Sequence, residues 1–142
     1  MPERSATARW EGGLQGGKGT MRLGSGAFEG QYSFSSRFEE GTGTNPEELS
    51  GAAHAGCFSM ALSGALERAG HAPNSIDTSA RVHLERGDSG FRISRIELST
   101  TADVPGIDAA AFLEQAETAK KNCPVSQALA GVDIQLDARL AS

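Results

Sequence analysis

Cysteine is scarce in the 142-residue chain, with only two copies. Two cysteines cannot staple a loop-rich scaffold, and none is needed, because a chain of this length hides roughly two-thirds of its unfolded surface on folding. Basic residues are outnumbered: 13 Lys and Arg face 18 Asp and Glu, for a net charge of −5. That balance repels phosphate backbones and anionic lipid, so neither nucleic acid nor a membrane surface is an expected partner. Long apolar runs are missing as well. No stretch approaches the roughly 20 residues of a membrane-spanning helix, and the start, MPERSATARWEGG, lacks the apolar block of a secretory leader. The expected location is the cytoplasm, where thiols stay reduced. A cysteine pair there is more often catalytic, redox-sensing or metal-binding than a structural bridge. The length fits a single domain over 1–142.

Glycine, by contrast, is plentiful, with 18 copies, many of them before residue 65 and interleaved with short apolar and aromatic runs. That pattern suits strands and turns. Ala6 to Glu11, Gly19 to Leu23 and Tyr32 to Phe38 read as three antiparallel strands, the last from the even spacing of Tyr32, Phe34 and Phe38. Asn45-Pro46-Glu47-Glu48 then reads as a helix start, with Asn45 as N-cap, Pro46 at the first helical position, and Glu48 at the capping-box position. The helix is predicted to run to about Ala69 and end at Gly70. Small and apolar residues surround it nearly completely, which predicts a central, buried helix. Ile76 to Glu85 and Phe91 to Thr101 form a hairpin in a second sheet. Asp108 to Asn122 reads as a helix, Val125 to Ala130 as a short one after Cys123-Pro124, and Val132 to Leu140 as a last strand. The order βββ-α-ββ-α-α-β gives an α+β fold with mainly antiparallel sheets around a long central helix.

Cys57 falls in the middle of the long helix, too far from either end to draw on the helix dipole. To become a thiolate at neutral pH it needs an adjacent cation. Arg37 is the candidate, since strand alternation sets it on the face opposite the aromatics; otherwise it is a solvated strand arginine. Cys123 precedes Pro124 where an N-cap belongs, so the unpaired N–H groups of the short helix favour its anion. Either cysteine could equally be a small buried hydrophobe. A metal reading is also open: His54 and Cys57, three apart on one helical face, could join Cys123 in a zinc site. No phosphate-binding loop or nucleophile elbow is present in the sequence.

The segment RFEEGTGTNPEELSGAAHAGCFSMALSGA, from Arg37 to Ala65, together with NCPVSQAL around Cys123, resembles the osmotically inducible protein C (OsmC) family of peroxidases. ARWEG, GKGT, SIDTSA and VPGIDAAAF extend the likeness over nearly the whole chain. The resemblance is to the OsmC subgroup rather than to its organic hydroperoxide resistance relatives. It implies a thiol peroxidase acting on organic hydroperoxides, and more weakly on hydrogen peroxide, built as an intertwined homodimer with active sites at the interface. It implies that Cys57 is the peroxidatic cysteine, Cys123 the resolving one, and Arg37 and Glu47 the activating pair. It also implies a Cys57–Cys123 disulfide, no metal or bound cofactor, and reduction by an external dithiol such as a lipoylated protein. His54 has no role in this scheme and reads as packing. Glu47 and Cys57 are ten residues apart, about 15 Å of rise on one straight helix. Two copies packed antiparallel would bring Glu47 of one to Cys57 of the other. Tyr32, Phe34, Phe38, Phe58 and Met60 are candidates for an apolar mouth, with core packing as the other reading. A redox sensor without turnover and a zinc-binding structural module are the alternatives.

Overall fold

The computed structural model describes residues 2–141, in two compact units, one ending at Leu49 and the other beginning at Ser50. In the first unit, β1 (Ala6–Glu11), β2 (Lys18–Leu23) and β3 (Glu29–Tyr32) form an antiparallel sheet in the order β1-β2-β3. Gly19 of β2 pairs with Trp10 on one side and Tyr32 on the other, whose ring centroids stand 5.3 Å apart. A Cβ at Gly19 would come within 2.4 Å of the Tyr32 ring, so these aromatics can meet only over a glycine.

The third strand stops at Tyr32, and what reads in the sequence as its continuation is a helix, α1 (Phe34–Phe38). A capping box makes it so. The Ser36 N–H donates to Ser33 Oγ at 3.1 Å, and the Ser33 N–H donates to Ser36 Oγ at 2.8 Å. Positions 34 and 38 share a face at period 2 and at period 3.6 alike, which is why the aromatic spacing fits both elements. Their rings pack with centroids 4.9 Å apart.

α2 (Pro46–Arg68) begins at the expected cap, where the Glu48 N–H donates to Asn45 Oδ1 at 2.7 Å. The Glu48 carboxylate accepts from the Thr44 hydroxyl at 2.8 Å. At the far end the Gly70 N–H donates to the Glu67 carbonyl and the His71 N–H to the Leu66 carbonyl, with Gly70 at φ +89. That is the Schellman closure, which requires a left-handed residue at Gly70.

The second unit holds most of α2, then β4 (Ser75–Gly87), β5 (Gly90–Asp103), α3 (Ala109–Asn122), α4 (Pro124–Ala128) and β6 (Asp133–Leu140). β4 and β5 make a long antiparallel hairpin. β6 returns parallel to β5 after the two helices, as a crossover of that length allows, so the second sheet is mixed. The core lies between α2, β5 and α3: Phe58, Leu62 and Leu66 pack with Ile96, Leu98, Ala102, Phe112 and Ala116. A polar tie crosses beneath it, Ser59 Oγ donating to Thr78 Oγ1, which is bonded in turn to Thr100 Oγ1. The composition of α2 predicts burial all round, but within this chain only one side of it is buried. Gly51, His54, Phe58, Leu62 and Leu66 are buried, while Ala52, Ala53, Gly56 and Met60 form an exposed stripe. Among the described residues, no helix is long and apolar enough to cross a membrane.

Candidate active site

The two cysteines meet in the second unit. Cys57 is at the centre of α2 and partly exposed, whereas Cys123 caps α4 and is fully buried. Both are free thiols. Their sulfurs lie 2.9 Å apart, with one S–H donating to the other sulfur. A disulfide bond measures about 2.05 Å, so less than about 1 Å of travel separates this contact from a covalent link. The kink that makes the approach possible is Pro124, which ends α3 and starts α4 with the Cys123 side chain at the junction.

The two thiols share a hydrogen bond, and the surroundings decide which gives up a proton first. Burial opposes the anion at Cys123, yet the hydrogen bond from Cys57, the Ser126 N–H and hydroxyl, and the Val125 N–H together hold its pKa below the ordinary thiol value. No side-chain cap bond closes on the sulfur, so the N–H groups act as converging dipoles at the helix start. At Cys57 burial comes first and raises the pKa; the bond to Cys123 raises it further, and only the Val125 N–H lowers it. The surroundings within the second unit therefore make Cys123 the more acidic of the two thiols. The bias towards the anion expected at the α4 N-cap is there, while the cation that Cys57 needs is not among the groups acting on it.

The first unit carries the other two candidates, and they form a pair. Arg37 Nε donates to Glu47 Oε1 and Nη2 to Oε2, both at 3.0 Å, a bidentate clamp with Glu47 buried and Arg37 about a third exposed. Several hydrogen bonds fix this geometry. The Ser36 hydroxyl donates to the Thr44 carbonyl at 2.7 Å, and Asn45 Nδ2 donates to the Ser36 carbonyl at 3.0 Å, so α1 is tied to the segment that starts α2. The Thr44 N–H donates back to the Gln31 carbonyl of β3 at 2.8 Å. Arg37 thus belongs to a short helix and stacks on Phe38, with 5.2 Å from its Cζ to the ring centre, rather than standing opposite the aromatics on a strand. It faces a pocket of about 240 Å³ lined by Trp10, Leu14, Tyr32, Phe34 and Phe38.

Of the residues expected at an apolar mouth, Tyr32, Phe34 and Phe38 line this pocket. Phe58 does not: it is fully buried in the core of the second unit. Met60 lies exposed on α2. Trp10 and Leu14 escape sequence reasoning, because only strand pairing and the turn after β1 bring them beside α1. Of the donors in the zinc alternative, His54 turns Nε2 to Ser126 Oγ at 2.7 Å. Among the described residues, no three His, Cys, Asp or Glu side chains gather as a metal site.

A family model described as OsmC-like protein matches residues 39–137. The chain is 51% identical over 140 residues to peroxiredoxin OsmC of Escherichia coli (strain K12), an alignment that covers 98% of this chain and 97% of that protein. It is 34% identical over 98 residues to organic hydroperoxide resistance protein OhrB of Bacillus subtilis (strain 168), covering 68% of this chain and 70% of the relative. In three dimensions it is similar to the crystal structure of OhrB of Bacillus subtilis, with a TM-score of 0.71 and 25% identity over 94% of this chain and 97% of the other.

Proposed function

The chain belongs to the OsmC family, and from that premise we propose that it is a peroxidase that reduces organic hydroperoxides to alcohols through Cys57 and Cys123, using an external dithiol. The observation that carries this reading is the sulfur pair: two free thiols 2.9 Å apart, one partly exposed and one fully buried. Only the exposed sulfur can meet a peroxide from solution, and only a buried neighbour at that range can trap the product before it reacts again.

The cycle begins as the Cys57 thiolate attacks one peroxide oxygen. The O–O bond breaks, the alkoxide leaves and takes a proton, and Cys57 becomes a sulfenic acid. Cys123, already favoured as an anion by the α4 start, attacks that sulfur; the S–O bond breaks, the S–S bond forms, and hydroxide leaves as water after protonation. A dithiol then reduces the disulfide by thiol exchange. Lipoyl-bearing proteins fit as donors, and the cycle needs no metal, haem or flavin.

For the first step Cys57 has to be the thiolate against the bias towards the Cys123 anion, which calls for a guanidinium beside it. It favours the Cys57 anion and also meets the charge developing on the peroxide oxygens. We assign this role to Arg37, oriented by Glu47, and place it across the interface of an intertwined homodimer, one copy supplying the pair to the Cys57 of the other. The exposed stripe of Ala52, Ala53, Gly56 and Met60 on α2 supports close packing of a second copy. The aromatic pocket beside Arg37 suits the alkyl part of the substrate. A cytoplasmic location, where dithiols stay reduced, completes the reading.

Steady consumption of cumene hydroperoxide with a dithiol tests it. Cys57→Ser should abolish turnover, and Cys123→Ser should still oxidise Cys57 to a sulfenic acid but form no internal disulfide, so that excess peroxide drives Cys57 on to sulfinic acid and turnover decays. Turnover retained in Cys57→Ser would overturn the proposal, and oxidation of the wild type once per chain without turnover would favour the sensor instead.

A further inference from the structure

α2 and α4 are joined by two rungs, and the cycle above uses only one. The first is the Cys57–Cys123 contact. The second is His54 Nε2 to Ser126 Oγ at 2.7 Å. His54 precedes Cys57 by three residues, and Ser126 follows Cys123 by three, so each member stands one helical turn from its sulfur. His54 is completely buried and Ser126 nearly so.

A buried histidine ordinarily satisfies both ring nitrogens, yet His54 Nδ1 has no hydrogen-bond partner. That decides the tautomer. A proton on Nδ1 would be a buried donor without an acceptor, which costs more than an idle lone pair. Burial holds the ring neutral by lowering its pKa. The Nε2–H therefore donates to Ser126 Oγ. With its oxygen engaged as acceptor, Ser126 is left to direct its own O–H elsewhere; it stands at the third position of α4, from which a side chain reaches back to the N-cap residue, here Cys123, whose anion it favours. The opposite tautomer would draw the serine proton towards the imidazole and away from the thiolate.

We propose that His54 and Ser126 are a positioning pair for the second half of the cycle: His54 fixes the Ser126 hydroxyl, which holds the Cys123 thiolate in line with the oxidised Cys57. This inference rests on the two-cysteine reading above. In the step concerned, Cys123 supplies the electron pair, the S–S bond forms, the S–O bond of the Cys57 sulfenic acid breaks, and hydroxide departs and is protonated. The peroxide already consumed is the only oxidant. Peroxide attack on Cys57 gains nothing from the pair, because a hydroxyl that favours the Cys123 anion disfavours that of Cys57. Speed in the second step matters because a waiting sulfenic acid is open to a second peroxide and irreversible sulfinic acid.

Single-turnover kinetics on the full chain without reductant test this, with cumene hydroperoxide as oxidant, dimedone capture for the sulfenic acid and mass spectrometry for the disulfide. Ser126→Ala should form the sulfenic acid at least as fast as the wild type, since it removes a group that favours the Cys123 anion over that of Cys57, and should slow disulfide formation roughly tenfold, the scale of losing one hydrogen bond to an anion. Sulfinic acid at Cys57 should rise to match. His54→Leu should behave likewise, and His54→Gln, whose amide N–H reaches the place of Nε2, should restore most of the rate. A retained first step shows that a variant is folded; should Ser126→Ala fail to fold, the Gln and Leu variants at position 54 decide. Disulfide formation as fast in Ser126→Ala as in the wild type, or equally slow in His54→Gln and His54→Leu, overturns the positioning pair. A wild type that forms no Cys57–Cys123 disulfide overturns it together with the reading beneath it, and so separates the two failures.

Discussion

Arg37 concentrates the residue-scale argument. Its guanidinium is clamped by Glu47 through Nε and Nη2, which leaves Nη1 outside the pair. A cation within a few ångströms depresses an acidic group by about 1–3 pKa units, so Arg37→Ala should move the pH midpoint of single-turnover oxidation upward and slow the reaction at neutral pH by about tenfold or more. Thermal stability should fall as well, because the buried Glu47 carboxylate loses its partner, so the pH midpoint, which a purely structural loss does not move, is the deciding readout. An unchanged pH midpoint would remove Arg37 from the mechanism. His54 gives a second prediction. Its folded pKa lies below the ordinary 6.5 because of burial, so the unfolded chain takes up a proton first as the medium is acidified. Its contribution is whole above 6.5 and is lost as pH falls from there towards the lower folded value. Urea midpoints should therefore drop between about pH 7.5 and about pH 5.5, and the drop should be smaller in His54→Gln, which does not titrate. An equal drop in both would place the acid sensitivity elsewhere. At this scale the sequence was informative about charge and spacing: the N-cap position of Cys123 and the mid-helix isolation of Cys57 both follow from local residue order. The His54–Ser126 bond did not, because its partners are 72 residues apart.

Among the elements, the end of α2 offers the cleanest energetic test. Gly70 sits at φ +89, and a Cβ there would meet nothing within 4 Å, so Gly70→Ala isolates backbone strain from packing. The substitution should cost about 1–2 kcal/mol by chemical denaturation while leaving peroxide turnover intact. A neutral result would mean that the Schellman closure relaxes freely. Both ends of this helix were legible in the sequence, since Asn45-Pro46 and Gly70 act within a few residues. α1 was not, because Phe34 and Phe38 fit either period and the decision rests on reciprocal bonds between two serines, a weaker signal than the usual glutamate of a capping box. The parallel pairing of β6 with β5 was equally hidden, being set by how the α3–α4 crossover returns rather than by alternation within the strand.

The whole molecule is where the small residues of α2 acquire a purpose. Their composition predicts burial on every side, whereas in one chain Ala52, Ala53, Gly56 and Met60 remain exposed. The proposed second copy covers that stripe. A Cβ at Gly56 meets nothing within 4 Å, so Gly56→Arg should be tolerated by the isolated fold but should block close helix approach. Analytical ultracentrifugation should then report a shift from dimer towards monomer, with peroxide turnover falling alongside if Arg37 acts across the interface. A variant that stays dimeric at wild-type affinity would put the interface on another face. The central claim, that Cys57 takes the oxygen and Cys123 closes on it, is tested most directly by intact-mass and peptide analysis after one equivalent of cumene hydroperoxide without reductant. The account predicts a loss of about 2 Da per chain and a single peptide pair joining Cys57 to Cys123. Peroxide consumed with both thiols still open to alkylation would contradict it.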